Sequence, residues 1–332
     1  ISGLNKTTTY YVRAYAKNTA GEAYGETVEF KTVEGFACGD ALLDVEGNSY
    51  KTVSINNRCW MQENMRSKHY ADGTEIAEWS KDKATDGKNK LYADITFDEV
   101  GNQVLYNWSA ANNRTEGNTD QKAIIQGICP DGWHVPSWVE YAEMFESIDP
   151  EWQRGTTEIW KGSGNLPATT TSKNQLAIKL ASKDAVWDAF DGPGIGKKTS
   201  TTREANSPGF AYDNNPDDPQ WLWNESNFCA KPAGYILKSK GQWVGTTAAD
   251  NWWDNGTLNL WTSIAQDTKQ YPCIVKIACY NSGVVYSTRN DEGTSCYSVR
   301  CVQNAEGQDD PGDDPEVGAC KGVFHVDPHQ WG

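Results

Sequence analysis

An α+β fold is predicted by the order of three features: early strands that begin with a period-two run, two amphipathic segments with helix-start chemistry, and a long Gly/Pro/Asn/Asp-rich stretch followed by short strand-like runs. At 38% apolar, the 332 residues can build a packed core. There are 15 Trp and 15 Tyr against 8 Phe, so much of the apolar surface carries a polar handle, which suits cores and binding faces alike.

The first element is a strand. Tyr10, Val12, Ala14 and Ala16 share one face, and Tyr11, Arg13, Tyr15 and Lys17 the other. Residues 18–21 supply turn chemistry and residues 27–32 a return strand, together a hairpin. Leu4, Thr8, Tyr10, Arg13, Ala14, Ala16, Asn18 and Gly21 resemble the end of a fibronectin type III domain. A two-stranded hairpin alone is marginal in water, so residues 1–33 are expected to lean on the main domain or to complete a sandwich in a longer protein.

The main domain is expected over residues 35–304. It opens with strands carrying Cys38, Gly39, Asp44, Gly47, Asn48, Tyr50, Val53 and Ile55. Ser137 can cap a helix with Glu140 as its capping-box partner, because Trp138, Tyr141, Ala142 and Phe145 then fall on one stripe. A second helix is predicted from Ser172, with Gln175 as capping partner and Leu176, Ala177, Leu180 and Ala181 as the apolar stripe. Residues 192–219 read as a long loop. Short strands follow at residues 235–237, 242–244, 258–262, 273–279, 284–286 and 297–302. Residues 305–332 form an acidic linker and tail, since residues 308–316 offer nothing apolar to bury.

Charge and cysteine usage narrow the function classes. A net charge of −15 with no basic cluster argues against nucleic acid as a partner. No run of about 18 apolar residues marks a membrane span. The chain opens on Ile1-Ser2-Gly3-Leu4, so any signal or lipid-attachment segment is expected upstream or removed, and further domains of the same chain are possible partners. Nine cysteines without a CxxC pair favour disulfides over zinc. The odd number leaves at least one thiol, with Cys320 as the candidate.

Several landmarks then fall in order: Cys38-Gly39, Asp44, Gly47-Asn48, Tyr50, the run from Arg58-Cys59-Trp60 to Met65-Arg66, Tyr106-Asn107-Trp108, and residues 126–137 with Cys129 and Trp133-His134-Val135-Pro136. Lys179-Leu180, residues 228–235, Leu260-Trp261-Thr262-Ser263 and Ser298-Val299-Arg300-Cys301-Val302 complete the set. This order resembles the Fibrobacter succinogenes major paralogous domain, a family of Bacteroidetes surface proteins and lipoproteins. The resemblance implies a C-type-lectin-like layout and an extracellular or outer-membrane-anchored location, with a more distant likeness to formylglycine-generating enzymes.

Within this layout, His134 reads as a satisfied structural group and Trp60, Trp108 and Trp133 as core. Trp252, Trp253, Asp254 and Asn255 have the composition of a carbohydrate platform, since adjacent tryptophans point to opposite sides of an extended chain. Packing under a loop is the competing reading. Trp221 and Trp223 form a second aromatic patch, and Asp213, Asn215 and Asp217 are spaced to chelate calcium, although the same text also describes a solvated acidic loop. No cofactor other than that possible calcium is expected. The predicted function is a non-catalytic cell-surface module for adhesion, binding a glycan or a host or bacterial surface protein through its C-terminal half. The alternatives are a structural stalk or tip domain of a surface array and a formylglycine-generating-enzyme-like thiol enzyme. For the enzyme, neither Cys273/Cys279 nor Cys296/Cys301 makes a case.

Overall fold

The computed structural model describes residues 8–19, 21–31, 35–84, 87–97, 101–152, 165–166, 175–185, 187, 207–208, 211, 215, 217–237, 242–244, 257–266, 271–278, 284–288 and 294–305. The chain divides into two units, residues 1–40 with 313–332 and residues 41–312. Two of the expected landmarks fall elsewhere: the 252–255 platform and the Cys320 thiol lie outside the described residues.

In the first unit the predicted hairpin forms, but its arms are broken. Thr9–Val12 pairs antiparallel with Val28–Lys31, and Tyr15–Asn18 with Gly21–Tyr24. Residues 13–14 on one arm face residues 25–27 on the other, an extra residue that acts as a bulge. Gly25 N–H donates to Ala14 O at 2.9 Å across this break. Ring pairs Tyr10–Phe30 and Tyr15–Tyr24 brace the two halves, with centroids 5.9 and 5.0 Å apart.

The second unit is α+β, as expected: three short helices and several small, mainly antiparallel sheets among the described residues. The predicted early strands appear as Thr52–Ile55 and Arg58–Met61, joined by a two-residue turn in which Asn56 and Asn57 have φ of 52° and 58°. Asparagine tolerates this left-handed backbone, which matches the twist of a tight hairpin. Val302–Gln303 pairs with Trp60 of this hairpin and with Trp133–His134, so the start, middle and end of the domain share one four-stranded sheet. A six-stranded sheet is built around the hairpin Leu91–Phe97/Gly101–Asn107. The third sheet centres on Thr257–Gln266 and Tyr271–Ala278, whose described residues are almost all buried.

Helix Trp138–Ile148 starts where predicted. Ser137 Oγ accepts from Glu140 N–H at 3.3 Å, and Glu140 Oε2 accepts from Ser137 N–H at 2.8 Å, a complete capping box that contributes on the order of 1 kcal/mol. The second predicted helix is shorter, Leu176–Leu180, and its N-cap Gln175 makes no side-chain capping bond. Its apolar stripe is correct: Leu176, Ala177, Leu180 and Ala181 are fully buried. A third helix, Trp108–Ala111, is capped by Asn107, whose Oδ1 accepts from Ala110 N–H at 3.1 Å. Trp60, Tyr141, Phe145 and Trp152 pack with the two longer helices into the main core. Gly127 is obligatory beneath it, since with φ of 59° an added Cβ would lie 2.2 Å from Ala111 O.

The cysteine expectation holds in part. Cys129 and Cys301 are bridged across 172 residues, and Cys38 and Cys59 each take part in a disulfide bond. Cys229, Cys273 and Cys296 carry thiols. Among the described residues no helix is long and apolar enough to cross a membrane.

Candidate functional site

The site begins where strand Arg58–Met61 ends. Residues 61–65 run beside residues 299–301, with Met61 N–H donating to Cys301 O at 3.1 Å and Met65 N–H to Val299 O at 2.9 Å. This pairing sets Asn64 next to Arg300. Asn64 Oδ1 accepts from Arg300 Nε at 2.9 Å, while Asn64 Nδ2 donates to Gln103 Oε1 at 3.0 Å and to Ser298 Oγ at 3.3 Å. The amide is held at both ends, so its orientation is fixed.

A third segment closes on the same guanidinium. Arg300 Nη1 donates to Phe228 O and Nη2 to Cys229 O, the latter at 3.0 Å, and the guanidinium lies 4.4 Å from the Phe228 ring centroid. The loop that presents these carbonyls is unusual. Asn224, Asn227 and Cys229 all have φ between 53° and 57°. Asparagine accepts this region readily and cysteine does not, so Cys229 must be held there. Asn224 does so with both ends of its amide: Oδ1 accepts from Cys229 N–H at 2.7 Å and Nδ2 donates to Cys229 Sγ at 3.2 Å.

Arg300 is only 2% exposed, and no carboxylate among the described residues lies within 4.0 Å of it. Burial brings its pKa down from the ordinary guanidinium range to about 10, which still leaves it cationic at neutral pH. It forms the floor of a cleft of about 550 Å³. Lys51, Arg66 and Lys231 bring further positive charge to the lining, against Glu63 and Asp184. Arg66 is placed by Ser49 O, which accepts from Nη2 at 3.0 Å, and by the Tyr50 ring 4.6 Å below its guanidinium. The arrangement can hold an anion against a desolvated, immobilised cation.

The described residues among those singled out from sequence lie outside this lining. Trp221 is 8% exposed, packs on Ile178 and Ala211, and donates from Nε1 to Asn215 O at 3.1 Å. It is therefore a buried brace and not an open stacking ring, a correction to the expectation. Alternation along residues 221–223 explains this: Trp221 turns in, Leu222 turns out, and Trp223 is half-buried against the core. Of the calcium set, Asp213 lies outside the described residues. Asn215 Oδ1 is taken by Asp217 N–H at 3.3 Å, and Asp217 pairs with the Lys183 ammonium. A cation already faces that carboxylate, and among the described residues no group of His, Cys, Asp or Glu is arranged to hold a metal. The local pair Cys296/Cys301 does not form, because Cys301 bonds Cys129. Trp60, Trp108 and Trp133 are core, at 0%, 4% and 2% exposure.

His134 is fully buried and partnered on both nitrogens, by Asn304 Oδ1 at 2.7 Å and Glu140 Oε1 at 3.0 Å. Glu140 Oε1 also accepts from Arg58 Nη1 at 2.8 Å. Burial alone would raise the Glu140 pKa, but the His134 hydrogen bond and charge, the Ser137 N–H and Arg58 together hold it below the usual 4.5. A carboxyl depressed in the fold contributes its stability in full above the unfolded pKa and loses it as pH falls through the folded one. The Tm gap between the protein and Glu140→Gln is thus expected to be constant from about pH 6 to 5 and to shrink toward pH 3 in a thermal-melt series. A gap that stays constant down to pH 3 would contradict the assignment.

The cleft was not legible as a site because its residues come from separate segments between Lys51 and Arg300, three of them in landmarks more than 60 residues apart. One signal was present: Arg300 sits inside Ser298-Val299-Arg300-Cys301-Val302, a run whose neighbours are all buried, where a cation must find partners. The sequence profile of the Fibrobacter succinogenes major domain matches residues 53–303, spanning all three segments. No curated protein and no solved structure matches the chain.

Proposed function

Because this chain belongs to the Fibrobacter succinogenes major domain family, we propose that it is a non-catalytic, extracellular or outer-membrane-anchored binding module whose ligand enters the Arg300 cleft. The observation that carries this reading is convergence. Three stretches of family-like sequence, residues 58–66, 228–235 and 298–302, meet around one buried guanidinium that has no carboxylate within 4.0 Å among the described residues, in a polar cleft. A side chain that served packing alone would not need five polar nitrogen-bound hydrogens in a desolvated place. The disulfides support an oxidising compartment. A C-type-lectin-like layout for the main domain and a fibronectin-like origin for the N-terminal hairpin belong to the same proposal. The ligand is a glycan or a surface protein. Residues 252–255 are retained as a secondary contact.

A glycan and surface-protein array tests the reading. Asn102 is exposed on the cleft wall, so Asn102→Trp fills the cleft without entering the core. Binding that is lost in Asn102→Trp but kept in Trp252→Ala and Trp253→Ala supports the cleft. The reverse pattern moves the site to the aromatic loop, and no binding to any array member favours a stalk or tip role. One observation favours a thiol enzyme as the second reading: Cys229, an intermediate-exposure thiol, lines the same cleft. Turnover of a peptide thiol substrate that Cys229→Ser abolishes would establish it instead.

A further inference from the structure

We infer that the Arg300 cleft takes a carboxylate-bearing saccharide, the guanidinium anchoring the acid group and the surrounding amides taking ring hydroxyls. This rests on the binding-module reading and names the ligand class of that same site. The charge of the lining is the first argument. Lys51, Arg66, Lys231 and Arg300 outnumber Glu63 and Asp184, on a chain whose formal net charge is −15. A locally positive cleft on an acidic chain selects anions by field as well as by contact.

The hydrogen-bond inventory of Arg300 is the second. Nε and one N–H on each terminal nitrogen are used by Asn64, Phe228 and Cys229. That leaves one N–H on each terminal nitrogen, and among the described residues neither has an acceptor. A carboxylate is the acceptor that a guanidinium N–H holds most strongly, through a charge-assisted hydrogen bond.

The rest of the lining separates a saccharide from a peptide. Gln62, Asn102, Gln103 and Ser182 add neutral groups that donate and accept, complementary to hydroxyls, while the Asn64 and Asn224 amides are occupied with Arg300 and Cys229. Among the described lining residues there is no aromatic ring and no Val, Leu, Ile or Met, so the apolar surface of the cleft comes from the stems of its polar side chains, and a neutral sugar finds no stacking ring among them. An ionic anchor is what remains. The cleft volume of about 550 Å³ accommodates one or two sugar rings.

The test is calorimetric titration of the whole chain at low salt with methyl glucuronide and methyl galacturonide, against the methyl ester of each uronide and against N-acetyl-glycylglycine as a peptide carboxylate. The uronides are expected to bind at least about tenfold more tightly than their esters, because the ester cannot accept the charge-assisted pair. Among the described residues no carboxylate engages the Lys51 or Lys231 ammonium, so Lys51→Gln/Lys231→Gln leaves the fold intact, as its melting temperature should verify. It is expected to weaken uronide binding about three- to tenfold and to flatten its salt dependence. Equal affinity for acid and ester, no effect of the double variant, or tighter binding of the peptide carboxylate each overturns the inference. A neutral glycan or a protein that binds and is displaced by Asn102→Trp would sink the carboxylate assignment while keeping the cleft as the binding site. If no probe of any class enters the cleft, both readings fail.

Discussion

A protein carrying Cys129→Ala and Cys301→Ala is expected to unfold about 10 °C below the wild type in a thermal melt without added thiol, in which the wild-type bridge stays intact. The bridge closes a loop of 172 residues, and confining a chain of that length in the unfolded state stabilises the fold by about 3–5 kcal/mol. For a domain of this size each kcal/mol moves the midpoint by roughly 2–4 °C. Both sulfurs are fully buried, so part of the loss is packing. Position makes the effect larger than loop length alone implies. Cys129 lies just before strand Trp133–His134, and Cys301 just before Val302–Gln303, which pairs with that strand and with Trp60. The bridge therefore staples the sheet that unites the two ends of the domain. A melting temperature within about 2 °C of wild type would mean that the strand pairing and the core hold this junction unaided.

What the sequence disclosed and what it hid have separate physical causes. Helix Trp138–Ile148 was legible because both of its signals are local: Ser137 and Glu140 three residues apart, and an apolar stripe at helical spacing. The start of Leu176–Leu180 was not, since its expected cap at Ser172 lies outside the described residues and Gln175 supplies no capping bond. The hairpin Leu91–Phe97/Gly101–Asn107 was missed although Leu91, Ala93 and Ile95 alternate inward, because Tyr92 on the other face blurs the period. The terminal run at residues 297–302 was read as one strand and is two, with Ser298–Cys301 turned aside to meet Asn259, Trp261 and Met65.

The candidate site illustrates the same division more sharply. Tryptophan-rich text drew attention to residues 221–223, where the indole of Trp221 proves to brace a loop from inside. Arg300, Asn64, Asn224 and Cys229 carry no local pattern. Their meaning appears only when segments at residues 64, 224–229 and 300 are brought together by pairing across more than 230 residues. Long-range convergence of single polar residues is what a one-dimensional reading is least able to see.

Arg300→Met supplies the second large effect, and its sign depends on two opposing contributions. Methionine leaves Asn64 Oδ1, Phe228 O and Cys229 O without their donor in a buried setting, at about 1–3 kcal/mol each. It also removes a desolvated cation. The fall of the Arg300 pKa to about 10 means that the fold disfavours the charged form by an amount on the order of 3 kcal/mol. Gross losses near 6 kcal/mol set against relief near 3 leave a net destabilisation of about 3 kcal/mol, measurable by chemical denaturation. The released Cys229 adds to the loss, since its left-handed backbone depends on this guanidinium and on Asn224. A variant as stable as the wild type would show that burying an un-neutralised cation costs the fold as much as its three hydrogen bonds return. The same arithmetic bears on function. A bound carboxylate would lift the desolvation penalty that the empty cleft sustains, so ligand binding and folding stability draw on one residue, and a ligand that raises the melting temperature of the wild type should have no such effect on Arg300→Met.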